Sequence, residues 1–360
     1  MNTTCIDHWT LCHSWNSDSD RAALAFCARQ LRAVGVEQGE TPAIADASAV
    51  KMHGHELVSA VVKGQPKPTN LRWIADREQW ADRIDPRAWQ FMSHGSAVHG
   101  IPVAIHQSNC LWAHRGTARA VAERAGRSGK GLLSWLLAAT RHCTAPLAIG
   151  AEPWQVGILF ESLCLAVGGP KLYREAFVRL SPEALGSAAM IRVLDHVQEA
   201  REFVNSERLS NSWRTQLDDV REGRAAVMLM GDWVRAAIPD GIARLHVDGF
   251  REENVYLVDL FVPIVADADT IASRVASALM AQEFQSRFSA IKGSTPALLN
   301  ADTRRMDINA PSHIDAPSLT FDQCCSIATK LALLEIVADD FVHRRAAVKT
   351  AASLASRVHH

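Results

Sequence analysis

The chain has 360 residues, and its 38 Lys and Arg side chains nearly balance its 39 Asp and Glu side chains, which gives a formal net charge of −1. A chain of this length is long enough for two lobes rather than one core. The balanced charge excludes the basic stripe of a nucleic-acid-binding surface, and no apolar run approaches the roughly 18 to 20 residues of a membrane-spanning helix.

Strands and helices are predicted to alternate in the first third of the chain. Residues 10–15 have the pattern of a short strand and residues 22–34 that of an amphipathic helix, with Ser19 or Asp20 as its N-cap. Residues 55–63 predict a second helix, which ends before two prolines. A buried strand is predicted at 101–109.

The remainder of the chain continues this alternation. Helices are predicted at 118–125, 132–139, 153–167, 190–204, 215–221 and 272–288, with final helices between 321 and 359. Strands are predicted at 223–233 and 255–263. Asn70 and Arg72 are expected at the end of a further strand.

The eight cysteines show no CxxC pair and no clustering with histidine. A structural zinc site is therefore not expected, and we predict no metal and no cofactor. So many scattered thiols favour a reducing compartment, although a disulfide that includes Cys324 or Cys325 in the periplasm stays open.

An apolar run that ends at Gly231, Asp232 and Trp233 carries an indole to the end of a predicted strand. A pyranose has a face of C–H bonds that an indole buries at low entropic cost, while the hydroxyl rim stays free for hydrogen bonds. Trp233 is therefore a candidate sugar-stacking residue, and a core position is the alternative.

Together with the run that ends at Trp233, six other segments resemble those of one known family. They read HSWNSDSD (13–20), IPVAIHQSNCLW (101–112), PLAIGAEPWQ (146–155, with Phe160 and Glu161), LVDLF (257–261), AQEFQSRF (281–288) and IKGSTP (291–296). They resemble the glucose/mannose-type solute-binding proteins of ABC transporters, whose first two segments usually read HWWTSGGE and VPVNVHRxNWLW. The resemblance runs nearly end to end.

The resemblance implies an α/β fold of the periplasmic-binding-protein type, with two lobes, a hinge and a cleft between the lobes. The implied lobe 1 comprises residues 1–115 and 262–312, and lobe 2 comprises residues 116–261 and 313–360. The chain is expected to cross between lobes near Gly116 and near Phe261, and these crossings would form the hinge.

The same resemblance implies the residues that bind the sugar. Trp15 and Trp233 are predicted to stack on the ring, with Trp112 and Trp213 as second choices. Asp20 and Asp259 would accept hydrogen bonds from hydroxyl groups, and Lys292 would donate them. Hydroxyl contacts are also predicted from Asn70, Arg72, His106 and His343.

Four positions depart from the family pattern around this site. Ser14 replaces the first Trp of the family pattern, so the expected binding site lacks one indole ring. Asp20 replaces Glu, so its carboxylate reaches one methylene less far toward the sugar. Gln107 replaces Arg and Cys110 replaces Trp beside His106. These changes are expected to shift the sugar specificity or to abolish glucose binding, so the identity of the sugar stays open.

The predicted function is to bind a hexose such as glucose or mannose by hinge closure and to deliver it to ABC transporter permease subunits, as a periplasmic monomer without enzymatic activity. We expect no secretory signal before the first predicted strand. Three explanations stay open: a signal removed earlier, a start assigned too late, or a degenerate cytoplasmic paralogue that acts as a sugar sensor or protein-interaction module. A glycoside hydrolase that uses Asp20 and Asp259 is the least favoured class.

Overall fold

A computed structural model describes residues 7–125, 131–209, 212–247, 253–264, 269–301, 314–318 and 327–358. The chain divides into two compact units. Unit 1 comprises Met1–His106 and Leu257–Asn309, and unit 2 comprises Gln107–Tyr256 and Ala310–His360. The first boundary between the units lies at 106/107, where the sequence predicted 115/116. The next strand, Leu111–His114, pairs with strands of unit 2 and therefore belongs to that unit.

Unit 1 is built on a mixed sheet. Within unit 1 its strands are β1 (Asp7–Cys12), β2 (Val36–Thr41), β3 (Ala49–His53), β6 (Ile101–Gln107) and the second half of β11 (Glu253–Pro263). The strands β4 (Ser93–His94) and β5 (Ala97–Val98) form a separate hairpin. β1 pairs in parallel with β2 and β3, and β3 pairs antiparallel with β11, which also pairs with β6. Asp259 on β11 lies opposite His53 on β3 in this register.

The helices of unit 1 cover this sheet. They are α1 (Asp18–Ala33), α2 (Gly54–Lys63), α3 (Arg72–Arg77), α4 (Trp80–Arg83), α5 (Pro86–Met92), α13 (Asp269–Leu279) and α14 (Gln282–Lys292). The long helix predicted over 272–288 is therefore wrong, because the chain is extended at Ala281, where α14 begins. The Gln285 amide stabilises this break by donating to the Leu279 carbonyl at 2.8 Å.

Unit 2 contains a second sheet, whose strands are β7 (Leu111–His114), β8 (Leu147–Ala148), β9 (Val227–Leu229) and β10 (Ile242–Leu245), arranged in the order β10-β7-β9-β8. A further strand, β12 (Ile314–Pro317), pairs in parallel with the first residues of β11. The strand predicted over 223–233 is shorter than expected, since Asp232–Ala237 forms a 3₁₀ turn. Trp233 therefore lies in a turn rather than on a strand.

The helices of unit 2 surround a large apolar core. They are α6 (Arg115–Ala125), α7 (Leu132–Ala139), α8 (Pro153–Leu163), α9 (Gly169–Tyr173), α10 (Pro182–Leu185), α11 (Ala188–Arg201), α12 (Trp213–Arg221), α15 (Ile327–His343) and α16 (Ala347–Arg357). The core includes Phe160, Phe177 and Phe341, each at most 1% exposed.

One helical stretch corrects the expectation that no segment is apolar enough to cross a membrane. The stretch Pro153–Val178 passes that test by length and composition; it consists of α8, a π-helical turn, α9 and a second π-helical turn. Most of its apolar window, 61%, is buried inside the protein, as in the core helix of a globular unit. The Glu161 carboxylate within it accepts a hydrogen bond from the Ser318 hydroxyl at 2.8 Å.

The described cysteines are not paired in disulfides. Cys12, Cys27, Cys110, Cys143 and Cys164 are free thiols, and all but Cys143 are buried. Burial raises the pKa of the Cys110 thiol to about 12, so this thiol is protonated and unreactive at neutral pH. Cys324 and Cys325 lie outside the described residues.

Candidate functional site

Trp15 is the centre of a cluster of charged side chains in unit 1. It lies in the segment between β1 and α1 and is half-buried. Its ring contacts the rings of Phe261 and Phe288, with centroids 5.7 Å and 6.2 Å away. Lys292 and Lys51 place their ammonium nitrogens 4.1 Å and 5.7 Å from its centroid. The indole therefore packs on apolar rings and also contacts two cations.

Asp20 holds the first of these cations. The N-cap of α1 is Ser17 rather than the predicted Ser19 or Asp20, and Asp20 is the third residue of the capping box. Its Oδ2 accepts hydrogen bonds from the backbone N–H groups of Ser17 at 2.9 Å and Asn16 at 3.2 Å. Its Oδ1 contacts the ammonium group of Lys292, the last residue of α14. The helix start thus fixes the carboxylate that binds Lys292.

Asp259 holds the second cation, Lys51. Lys51 and His53 are two residues apart on β3, so both point to the same face of the sheet. Lys51 Nζ lies 2.9 Å and His53 Nδ1 3.0 Å from Asp259 Oδ1. His106 on β6 approaches the other oxygen, with Nε2 3.4 Å from Oδ2. Because β3 and β6 deliver these groups to a carboxylate on β11, their positions are set by the sheet register.

Burial and charge act against each other at both carboxylates. Burial raises the pKa of Asp259, but Lys51 and the hydrogen bonds from His106 and His53 outweigh it, and the pKa lies well below its usual value. The pKa of Asp20 is also lowered, because Lys292 and Ser17 outweigh the effect of burial. Both carboxylates are therefore ionised at neutral pH, and each buried ammonium has an adjacent negative charge.

His53 is neutral in this network. Burial lowers its pKa, and the neighbouring Lys51 ammonium lowers it further, while Asp259 acts in the opposite direction. Lys51 Nζ lies 2.9 Å from His53 Nε2. A neutral ring can accept a hydrogen bond from this ammonium group, which a protonated ring cannot.

The predicted aromatic residues of unit 2 differ in their surroundings. Trp112 is 3% exposed and donates its indole N–H to the Met230 carbonyl at 3.0 Å, as a core residue does. Trp213 is half-buried at the start of α12, and the Arg214 guanidinium lies 4.9 Å from its ring centroid. Trp233 is half-buried and packs against the core of the unit. Whether each contacts a ligand stays a prediction.

Gly231 makes room for the Trp233 ring. A Cβ atom at Gly231 would lie inside contact distance of three carbon atoms of that ring. The backbone of Gly231 is extended, with φ −65°, so glycine is needed for the close approach of the ring and not for its dihedral angles.

The departures at Gln107 and Cys110 lie in one polar network of unit 2. The backbone N–H of Gln107 donates to Asp232 Oδ2 at 3.0 Å, and its side-chain oxygen accepts from Arg244. The Gln107 amide also donates to Asn109 Oδ1 at 3.0 Å. The Cys110 thiol lies 3.5 Å from the Gln107 carbonyl. These contacts fix the first residues of the chain after it leaves unit 1.

The other predicted residues have partners away from the Trp15 cluster. Asn70 lies in a loop, not at a strand end, and its Oδ1 accepts from the backbone of Arg72 at 3.0 Å and of Val98 at 3.1 Å. Arg72 forms an exposed pair with Asp76 at 2.8 Å. His343 is exposed in unit 2, 3.4 Å from Asp339. Their roles in binding stay predictions.

Lys51 and His53 are the members of the cluster that the sequence analysis missed. The signal was present, because a lysine in the apolar strand Ala49–His53 would be buried and would need a carboxylate. The strand pairing that brings it to Asp259 was not predicted. Among the described residues, no group of three or more His, Cys, Asp or Glu side chains is arranged to hold a metal ion.

The fold is that of the two-lobe solute-binding proteins. Over nearly its whole length the chain superposes on the bacterial solute receptor AcbH, with a TM-score of 0.82, 12% identity, and coverage of 98% of this chain and 99% of that one. The printed description of AcbH gives it an exclusive substrate preference for β-D-galactopyranose. At this identity the likeness establishes the fold alone.

No family model matches the sequence, but curated proteins are similar to it. A "probable sugar-binding periplasmic protein" of Brucella suis biovar 1 (strain 1330) is 26% identical over 345 residues, which cover 87% of this chain and 76% of the relative. An "uncharacterized ABC transporter extracellular-binding protein" of Pyrococcus horikoshii is 24% identical over 266 residues, which cover 68% of this chain and 56% of the relative.

Proposed function

We propose that this protein binds a neutral hexose, such as glucose or mannose, and delivers it to an ABC transporter. The observation that carries the proposal is the pair of buried lysine–carboxylate contacts around Trp15, Lys292 with Asp20 and Lys51 with Asp259. A sugar hydroxyl both donates and accepts hydrogen bonds, and a carboxylate beside an ammonium group offers both kinds of partner. Hydrogen bonds to charged groups are the stronger kind.

The charge balance of the cluster supports a neutral ligand. Each buried ammonium group has one adjacent carboxylate, so the four side chains sum to zero charge. A carboxylate or an amine on the ligand would add an uncompensated charge to a buried site, and such a charge is costly. Uncharged hydroxyl groups add none.

Trp233 of unit 2 is the proposed stacking residue. Its ring is half-buried and held over Gly231, and a ring in a fixed orientation loses little entropy when a sugar packs on it. Its position in the sequence matches the family segment described above. We propose His53 and His106 as further hydroxyl partners, because their ring nitrogens lie 3.0 Å and 3.4 Å from the Asp259 carboxylate.

Delivery to a transporter is supported by the relatives. They are named as periplasmic sugar-binding and ABC transporter extracellular-binding proteins, so we propose a periplasmic site of action and permease subunits as partners. The alternative of a degenerate intracellular paralogue is not favoured by these relatives. For a chain that passes between its two units at 106/107 and again at 256/257, hinge closure around the sugar is the proposed mechanism.

Hydrolysis of the sugar is not part of the proposal. A glycoside hydrolase needs a carboxylic acid that is protonated near neutral pH. The pKa values of Asp20 and Asp259 are both lowered, so neither side chain carries the proton that a leaving group requires.

Isothermal titration calorimetry of the purified protein with glucose, mannose, galactose and xylose tests the proposal. We expect saturable binding of at least one hexose and its loss in Asp259→Asn. The matched control is Glu283→Gln, which removes an exposed ion pair of the same unit and should leave affinity unchanged. A folded protein that binds none of these sugars, or an Asp259→Asn variant with wild-type affinity, would contradict the proposal.

A further inference from the structure

We infer that Trp15 is a positioning residue, whose indole holds the ammonium groups of Lys51 and Lys292 beside their carboxylates rather than offering a bare face to the sugar. The inference rests on the proposed function and changes the role that the sequence predicted for Trp15. It concerns a contact that exists without ligand, so it can be tested separately.

The surroundings of the ring leave little of it for stacking. The His13, Phe261 and Phe288 rings have their centroids within 6.4 Å of the Trp15 centroid, and all three are tilted relative to it. A sugar that stacks needs a ring face clear of other groups. The Lys292 ammonium, 4.1 Å from the centroid, competes directly for such a face.

Both lysines lie at distances where a cation and an aromatic ring attract. Lys292 Nζ at 4.1 Å and Lys51 Nζ at 5.7 Å fall within the range of about 6 Å over which the ring quadrupole attracts a cation. The attraction is stronger where water is excluded, and Lys292 and Lys51 are only 3% and 9% exposed. One indole thus joins two buried ion pairs.

The carboxylates are fixed by the backbone and the lysines are not. Asp20 is held by the capping box of α1 and Asp259 by the pairing of β11 with β3. A lysine side chain has four rotatable bonds and needs a second contact to hold one geometry. Trp15 supplies that contact for Lys292 and adds to the contact that Lys51 makes with His53, and so determines which of their N–H donors remain for a ligand.

Nuclear magnetic resonance of lysine-labelled protein tests this contact without any ligand. We expect the ε-methylene protons of Lys292 to be shifted upfield by the Trp15 ring current, and to return to ordinary positions in Trp15→Leu. Trp15→Phe, which keeps a ring, should retain part of the shift. The matched control is Trp73→Leu, which removes the exposed ring that contacts Arg77 at 5.3 Å and should leave the Lys292 signals unchanged.

A double-mutant cycle on binding separates positioning from stacking. Trp15→Leu should weaken sugar binding by about ten-fold or more. In a Lys292→Met background the same substitution should weaken it by less than about three-fold, because the contact between the ring and Lys292 is already absent. A stacking role instead predicts the same loss in both backgrounds. Circular dichroism confirms that each variant is folded, and Trp15→Phe replaces Trp15→Leu in the cycle if the latter is not.

Three results would overturn the inference: Lys292 protons without an upfield shift, equal losses in the two backgrounds, or a sugar that displaces Lys292 from the ring and removes its shift. If the wild-type protein binds no sugar but keeps the upfield shift, the proposed function fails while the contact between Trp15 and Lys292 stands. The two failures are therefore distinguishable.

Discussion

The ammonium group of Lys292 lies 4.1 Å from the centre of the Trp15 ring and also contacts the carboxylate of Asp20. One residue comes from the end of α14 and the other from the segment before α1, so their meeting depends on the packing of these helices. Lys51 and Asp259 repeat the arrangement, with Lys51 Nζ 5.7 Å from the centre of the same ring. Two buried ion pairs that share one indole define the candidate site of unit 1.

Asp259→Asn should abolish binding and destabilise unit 1. The substitution leaves the Lys51 ammonium buried without its carboxylate, and breaking a buried pair in this way costs roughly 3 to 5 kcal/mol. Urea unfolding measures the loss. Adding Lys51→Met to Asp259→Asn should recover part of the free energy of unfolding but not the binding, and an additive further loss would contradict the pairing.

The stability of the protein should fall in acid in two ranges. The pKa of His53 is lower in the folded chain than its unfolded value of about 6.5, so the unfolded state takes up a proton first and stability declines as the pH falls below about 6.5. The pKa of Asp259 is also lowered, and its contribution is lost further down, below about pH 4. Unfolding free energies measured from pH 7.5 to 2 test both ranges.

The variant His53→Gln tests the decline in stability between pH 6.5 and pH 5. This variant has no titrating group at position 53, so its decline between pH 6.5 and pH 5 should be shallower than that of the wild-type protein. His8, which is exposed, provides the matched control, because His8→Gln should keep the wild-type slope. Identical slopes for His53→Gln and wild-type protein would contradict the assigned network.

Gly231→Ala should weaken sugar binding with little effect on the backbone. The new methyl group occupies the place of the Trp233 ring, while the backbone angles at this position suit alanine. We expect the ring to move and the tryptophan fluorescence to change, with a loss of affinity of about ten-fold or more if Trp233 stacks on the ligand. An unchanged affinity together with a shifted emission spectrum would exclude Trp233 as a stacking residue.

Trp112→Ala and Trp233→Ala should separate a core indole from a binding indole. Trp112 is buried and hydrogen-bonded, so its truncation should cost about 3 to 5 kcal/mol of unfolding free energy. Trp233 is half-buried, and its truncation should cost less stability and more affinity. Paired denaturation and calorimetry measure the two effects, and equal stability losses would contradict the distinction.

Much of the local structure could be predicted from the sequence. The pattern of apolar residues gave α2, α6, α7 and β11 within about three residues of their bounds, and the order of the family segments indicated the two-lobe fold. The break between α13 and α14 was not predicted. It depends on a hydrogen bond from Gln285 to the end of the preceding helix, and apolar spacing carries no information about that contact.

The candidate site, too, could be predicted only in part from the sequence. The sequence by itself determined that Asp259 lies in an apolar strand, and a buried charge needs a partner. It placed Lys292 at the start of the segment Lys-Gly-Ser-Thr-Pro, whereas the structure makes it the last residue of α14. Only the tertiary structure decided which partners they have, because Lys51 and Asp259 are far apart in the chain and meet through the pairing of β3 with β11. The place of Trp15 between the two ion pairs follows from that packing, since side-chain contacts across elements are set by sheet register and helix packing rather than by local sequence.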